Sequence, residues 1–183
     1  MKRFTICGIA ELDHHVDAGV SHVLSILDPD HPDPETFQRW PLRHRTLLRF
    51  HDVIAARDDR QLPARDHVEA VLRFGEELDR ARPEHVLVHC HAGISRSSAS
   101  VAALLARRRR RDLDEIFAEI RAVRPIAWPN SRMIAFADEL LDHRGALIAA
   151  LERHYRHQAR LRPELAALIR NEGRAAEVPG GEP

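Results

Sequence analysis

Apolar residues fall along this chain in two rhythms. Short runs rich in Val, Ile and Leu read as buried strands: Phe4–Cys7, Ser21–Leu27, Thr46–Phe50 and His85–Val88. Between and after them the spacing turns helical. Leu62–Arg82 places Val68, Val71, Leu72 and Leu78 on one face, and Pro83 ends it. Ser95–Arg111, Leu113–Val123 and Asn130–His143 predict three more helices, and Gly145–Leu168 one last helix. Ile9–Ala18 predicts a helical turn or short helix closed by Gly19. Asp28–Glu35, "DPDHPDPE", is punctuated as a loop. Strands alternating with helices predict an α/β fold with a mostly parallel central sheet of about four to five strands flanked by helices. Residues 1–170 are expected to form a single domain, and the polar segment Asn171–Pro183 a disordered tail.

Composition narrows the setting. The chain has 183 residues, 44% of them hydrophobic, with 28 basic and 28 acidic side chains and a formal net charge of zero. No global field draws it to nucleic acid or to an anionic membrane, so neither is expected as a partner. Two cysteines are too few for a disulfide framework, and no segment reads as a signal peptide or a bilayer span. A reducing cytoplasm is the expected location. All but Lys2 of the basic residues are arginine, a bias read as genome composition.

The chemistry concentrates where the strand His85–Val88 gives way to the helix after Gly93, in "HVLVHCHAGISRSS". Cys90 stands at the strand end and Arg96 follows six residues later. Among so many arginines that spacing alone is weak, but the order of strand, tight glycine-containing loop and helix N-terminus gathers N–H groups into an anion cradle. A thiol is a nucleophile only as thiolate, and a helix N-terminus, converging amides and an arginine all favour that form. The same donors suit a tetrahedral dianion, two of whose oxygens the Arg96 fork can hold. The cradle would consist of His91, Ala92, Gly93, Ile94, Ser95 and Arg96. Gly93 lets backbone approach the anion or take a positive φ. Ser97 opens the helix and can donate to the sulfur as it departs.

Blander readings compete at each position. Cys7 reads as a buried strand cysteine, and His14 and His15 as surface residues. His89, Cys90 and His91 form "HCH", but no further cysteine or histidine pair stands at zinc spacing, so no metal is expected. His89 reads as orienting the loop, and His91 as lending its amide. The run Arg107–Arg111 reads as solvated cations complementing a helix C-terminus.

"VLVHCHAGISRSS" resembles the signature loop of cysteine-dependent protein tyrosine phosphatases, closest to the dual-specificity type and to small bacterial tyrosine phosphatases. "LLRFHD", Leu47–Asp52, resembles the strand that ends in that family's general acid, here Asp52. "RPIAWPNSRMI", Arg124–Ile134, resembles the segment whose asparagine braces the phosphate loop, here Asn130. The resemblance implies a three-layer tyrosine-phosphatase architecture without cofactors. It also implies a phosphomonoesterase that forms a phosphocysteine on Cys90, with Asp52 as acid and base and Ser97 assisting its release. Substrates would be phosphotyrosine, or phosphoserine and phosphothreonine, in proteins. A soluble phosphate ester or phosphoinositide is the alternative, as is a phosphate-binding pseudophosphatase. Asp52 directly follows an apolar strand, at the sheet edge where ligands bind; Asp58 and Asp59, in "AARDDRQLP", compete with it for the acid role.

Overall fold

The computed structural model describes residues 3–107 and 112–180. Four strands form one sheet: β1 Arg3–Cys7, β2 His22–Leu27, β3 His44–Arg49 and β4 His85–His89. Their order is β1-β4-β2-β3 and every pairing is parallel, so the expected mostly parallel sheet is wholly so. β4 enters between β1 and β2, with Cys7 opposite His89 on one side and Ser25 opposite His89 on the other.

Alternation along the strands divides the interior into two cores. Ile6, Leu24, Ile26, Val86 and Val88 face the larger one. Six helices supply its other side: α1 Arg65–Ala81, α2 Arg96–Ala106, α3 Leu113–Val123, α4 Ser131–Leu140, α5 Ala146–Leu161 and α6 Pro163–Ile169. On the opposite face Cys7, Val23 and Leu87 pack with Leu12, Val20 and Trp40 beneath the 3-10 turns Ile9–His15 and Glu35–Gln38. The result is a three-layer α/β fold.

Three segments differ from the pattern-based reading. The single last helix is two, because the α region is disfavoured for the residue before a proline, and Arg162 breaks from it at φ −137° ahead of Pro163. The third strand begins two residues early at His44 and stops before Phe50. The expected tail is no tail over its described part. A π turn, Arg170–Arg174, and a 3-10 turn, Ala175–Glu177, fold back onto the domain. Arg174, Glu177 and Val178 are 4%, 2% and 4% exposed. An average over a polar segment hides these few anchors. Residues 181–183 and 108–111 lie outside the described residues, the latter with most of the Arg107–Arg111 run; Arg107 itself donates to Asp79 at 2.9 Å.

Candidate active site

Parallel packing brings the C-terminal ends of β4, β2 and β3 to one edge, and each strand is followed there by a polar residue. Cys90 follows β4, Asp28 follows β2, and Phe50 to Asp52 follow β3. Of these, Cys90, Asp28, His51 and Asp52 line a pocket of about 260 Å³ together with His91, Ala92, Ile94, Ser95 and Arg96, and with Arg57, Arg60 and Glu172 at its mouth.

The loop from Cys90 to Ser95 is shaped from outside the pocket. The carbonyl of His91 accepts from the Ile9 N–H, and the Arg124 guanidinium donates to the carbonyls of Ala92 (2.8 Å) and Gly93 (3.1 Å). The Ile94 carbonyl accepts from Trp128 N and Ser98 Oγ, and the Ser95 carbonyl from Ala99 N and Ser98 Oγ. Five successive carbonyls are thus spent away from the pocket. Among the described residues no protein acceptor takes the N–H groups of His91 to Ser95. A loop with its oxygens anchored behind it presents its amides in front. Gly93 makes the turn possible at φ +67°, and a methyl group there would lie 2.4 Å from the carbonyl carbon of Cys7.

Inside this cradle Cys90 is buried, with its Sγ 3.2 Å from Ser97 Oγ at the first turn of α2. Arg96 is 3% exposed, and its Nη1 donates to Asp28 Oδ1 at 2.7 Å and to the Phe50 carbonyl. Its Nε is buried and has no protein partner among the described residues. A buried guanidinium N–H without an acceptor is costly unless an anion takes it, and the cradle is where such an anion would sit.

Asp52 faces the same space. Its Oδ1 accepts from Ser95 Oγ (2.7 Å) and Asn130 Nδ2 (2.9 Å), and its Oδ2 from Arg174 Nη1 (3.3 Å). Burial resists ionisation of this carboxyl. Arg174, Arg96 and the two hydrogen bonds outweigh that resistance and hold Asp52 below the usual carboxylate range. Asp58 and Asp59 are exposed and do not line the pocket.

Asn130 caps α4, accepting from the Met133 N–H at 3.1 Å, and its amide donates to Asp52 and to the Val53 carbonyl. Its bracing therefore falls on the Asp52 side of the pocket. His89 points into the sheet layer, where its Nε2 lies 2.8 Å from Ser25 Oγ; burial, then Arg45, push its pKa down to about 3. The His91 ring accepts from the Asp28 N–H at 3.1 Å. Cys7 lies in the opposite core, where burial and then Glu11 raise its thiol to about 12. Among the described residues no cluster of three or more His, Cys, Asp or Glu could hold a metal ion, and no helix is long and apolar enough to cross a membrane.

Sequence reasoning left three participants unassigned. Asp28 follows an apolar parallel strand just as Asp52 does, and that signal was available. Arg124 opens the segment "RPIAWPN", but nothing in the pattern shows that it reaches back to the loop. Arg174 stands in a polar stretch with no periodicity at all.

The residues from 29 to 144 match the family model "Dual specificity phosphatase, catalytic domain", which is more than half of the chain. The chain belongs to the dual-specificity phosphatase family. It is 30% identical over 136 residues to mouse Protein phosphatase Slingshot homolog 3, covering 74% of this chain and 18% of that one. It is 29% identical over 126 residues to human Dual specificity protein phosphatase 12, covering 67% of this chain and 34% of the relative. The chain thus spans about a fifth to a third of the length of these curated relatives. The crystal structure of human DUSP28 superposes with a TM-score of 0.60 at 21% identity, over 78% of this chain and 94% of that one. The Yvh1 phosphatase domain from Chaetomium thermophilum does so at 0.56 and 21%, over 80% and 95%. These neighbours share the dual-specificity phosphatase fold, a three-layer arrangement around a parallel sheet.

Proposed function

We propose that this protein is a phosphomonoester hydrolase acting through a phosphocysteine, with phosphotyrosine in proteins as its leading substrate. One observation carries the reading. Around Cys90 Sγ the carbonyls from His91 to Ser95 are all spent elsewhere, while among the described residues the amides and Arg96 Nε have no protein acceptor. The site is built for a tetrahedral dianion beside a sulfur nucleophile.

In the first displacement Cys90 Sγ attacks phosphorus, the bond from phosphorus to the ester oxygen breaks, and Asp52 gives that oxygen its proton. In the second, water attacks phosphorus, its proton passes to Asp52, and sulfur leaves with Ser97 Oγ donating to it. Arg96 and the loop amides neutralise the charge that spreads over the equatorial oxygens. Asp52 is held ionised in the free protein. The arriving dianion disfavours that charge and draws Arg96 towards itself, so substrate binding favours the protonated acid that the first step requires.

Exposed Arg57 and Arg60 at the pocket mouth favour substrates carrying further negative charge. They support a soluble phosphate ester or phosphoinositide as the second reading. A reducing compartment such as the cytoplasm suits a catalytic thiolate.

The test is hydrolysis of phosphotyrosine peptide and p-nitrophenyl phosphate with chelator and reductant present, by the wild type and by Asp52→Asn, Asp28→Asn, Asp58→Asn and Asp59→Asn. Asp52→Asn should slow the peptide, with its basic leaving oxygen, far more than the activated ester. No hydrolysis by wild type would refute the enzyme reading. The leaving-group signature at another aspartate would move the acid there.

A further inference from the structure

The family match ends at residue 144, yet a side chain from well beyond it enters the catalytic centre. We propose that Arg174 is a positioning residue for Asp52, so that the segment 170–177 completes an acid site which the family domain leaves half built. The proposal rests on the reading of Asp52 as the proton donor.

The two oxygens of Asp52 are held by different parts of the chain. Oδ1 takes its hydrogen bonds from Ser95 and Asn130, both within the matched domain. Oδ2 accepts from Arg174, through Nη1 at 3.3 Å. Arg174 is itself fixed. It is 4% exposed, its Nη2 reaches the Trp128 carbonyl at 3.4 Å, and it pairs with the buried Glu177 carboxylate. Glu177 Oε1 in turn accepts the N–H of Ser131 at 2.6 Å, one residue after the Asn130 that holds Oδ1.

The segment is also keyed to the loop that follows Asp52. Gly173 sits at φ +77°, and a methyl group there would fall 1.2 Å from Arg57 Nη2, so the arginine occupies the space that a side chain would need. Arg57 and Glu172 then stand together at the pocket mouth.

A buried ion pair is weak evidence for stability, since desolvation offsets much of its attraction. A pair whose acidic partner lines the reaction pocket has a second consequence: it sets both the orientation and the charge of that group. Other titratable groups face Asp52 as well. Arg96 and His91 do so from the phosphate loop and α2, Glu177 and Tyr155 from the C-terminal side, and Asp28, Arg57, Arg60 and Glu172 share the pocket. Of these, Arg174 has the largest favourable influence on the ionised form.

The experiment is the pH dependence of kcat/KM for phenyl phosphate. It compares wild type, Arg174→Met, Arg174→Lys, Glu177→Gln and Asp52→Asn, with melting temperature and phosphate inhibition as checks of folding. Losing Arg174 should move the high-pH limb upward by about 1 to 3 units, the usual influence of an arginine beside a carboxylate. Glu177→Gln removes a neighbouring negative charge and should move the limb downward. Arg174→Lys should restore most of the wild-type position. Asp52→Asn should abolish the limb.

A limb that stays in place in folded Arg174→Met, while Asp52→Asn abolishes it, overturns the role of Arg174 and leaves the acid assignment standing. A limb that survives in Asp52→Asn overturns both. Where Arg174→Met does not fold, Glu177→Gln decides: a downward shift supports the proposal, and an unmoved limb overturns it.

Discussion

Replacing Arg96 by lysine preserves one positive charge and removes the planar fork. In the folded protein Nη1 is committed to Asp28 Oδ1, 2.7 Å away, and to the Phe50 carbonyl, while Nε is buried without an acceptor. A lysine ammonium has a single nitrogen. Drawn to Asp28 and Phe50, it cannot also supply the donors that face the cradle. Each charge-assisted hydrogen bond lost from the transition state costs about 1.5–3 kcal/mol. Two are lost and the ammonium charge recovers part of the difference, so the net deficit is about 3 kcal/mol, or on the order of 10²-fold in kcat/KM. Measurement uses p-nitrophenyl phosphate, with the inhibition constants of phosphate and vanadate alongside. Both oxyanion affinity and kcat/KM should fall, with a melting temperature close to wild type. A variant within threefold of wild type in kcat/KM would show that the Arg96 fork does not hold the transferring group.

Three further outcomes follow from the same geometry. Cys90→Ser should fold, bind phosphate and show no turnover, because a serine hydroxyl is not ionised at neutral pH and the group within hydrogen-bond distance of position 90 is the Ser97 hydroxyl, which is no base; purified protein retaining more than a few per cent of activity refutes nucleophilic catalysis by Cys90. Gly93→Ala must carry a side chain at φ +67° and 2.4 Å from the Cys7 backbone, so it should lose at least the roughly 1–2 kcal/mol of a left-handed residue as well as phosphate affinity; unchanged melting and inhibition would sink the cradle geometry. His89 and His154 are driven mainly by burial down to about 3 and about 4. The unfolded chain therefore binds more protons below its ordinary histidine pKa of about 6.5, and stability, full above that pH, falls towards pH 4 by about 1.4 kcal/mol per unit for each residue. A urea midpoint that does not drop between about pH 7 and about pH 5 contradicts this.

Much of the candidate site can be read from the chain because it is local. Cys90, Gly93, Arg96 and Ser97 lie within eight residues, and the strand-to-helix transition that shapes them is written in their own pattern. Asp52 was legible for a less local reason: it ends an apolar run, and parallel strands end together. The same reasoning applies to Asp28, whose strand ends equally cleanly, although Asp28 also opens a proline-rich segment whose composition signals a loop. Arg124, Arg174 and Glu177 were illegible because their roles are defined by distant partners. Arg124 acts on Ala92 and Gly93, and Arg174 on Asp52, 122 residues away. Hydrophobic periodicity reports which face of an element is buried and carries no information about where a long polar side chain ends. The described part of the C-terminal segment is illegible for the same reason, since a few buried contacts set its structure and its average polarity does not.

The position of β4 in the sheet shapes how this molecule must assemble. β1 finds its partner in β4, with Arg3 beside His85 across a separation of 82 residues, and β4 is also the bridge from β1 to β2. Until β4 is in place, β1 has no ladder to join and one side of β2 is an open edge. Closing such a long loop costs entropy before any contact rewards it, which makes sheets of this connectivity slow to fold and exposed to misassociation on the way. The strand that closes the sheet is also the one that carries Cys90 to its end. The anion cradle therefore arises at the same moment as the sheet itself, and a half-folded chain presents edges without a reactive centre.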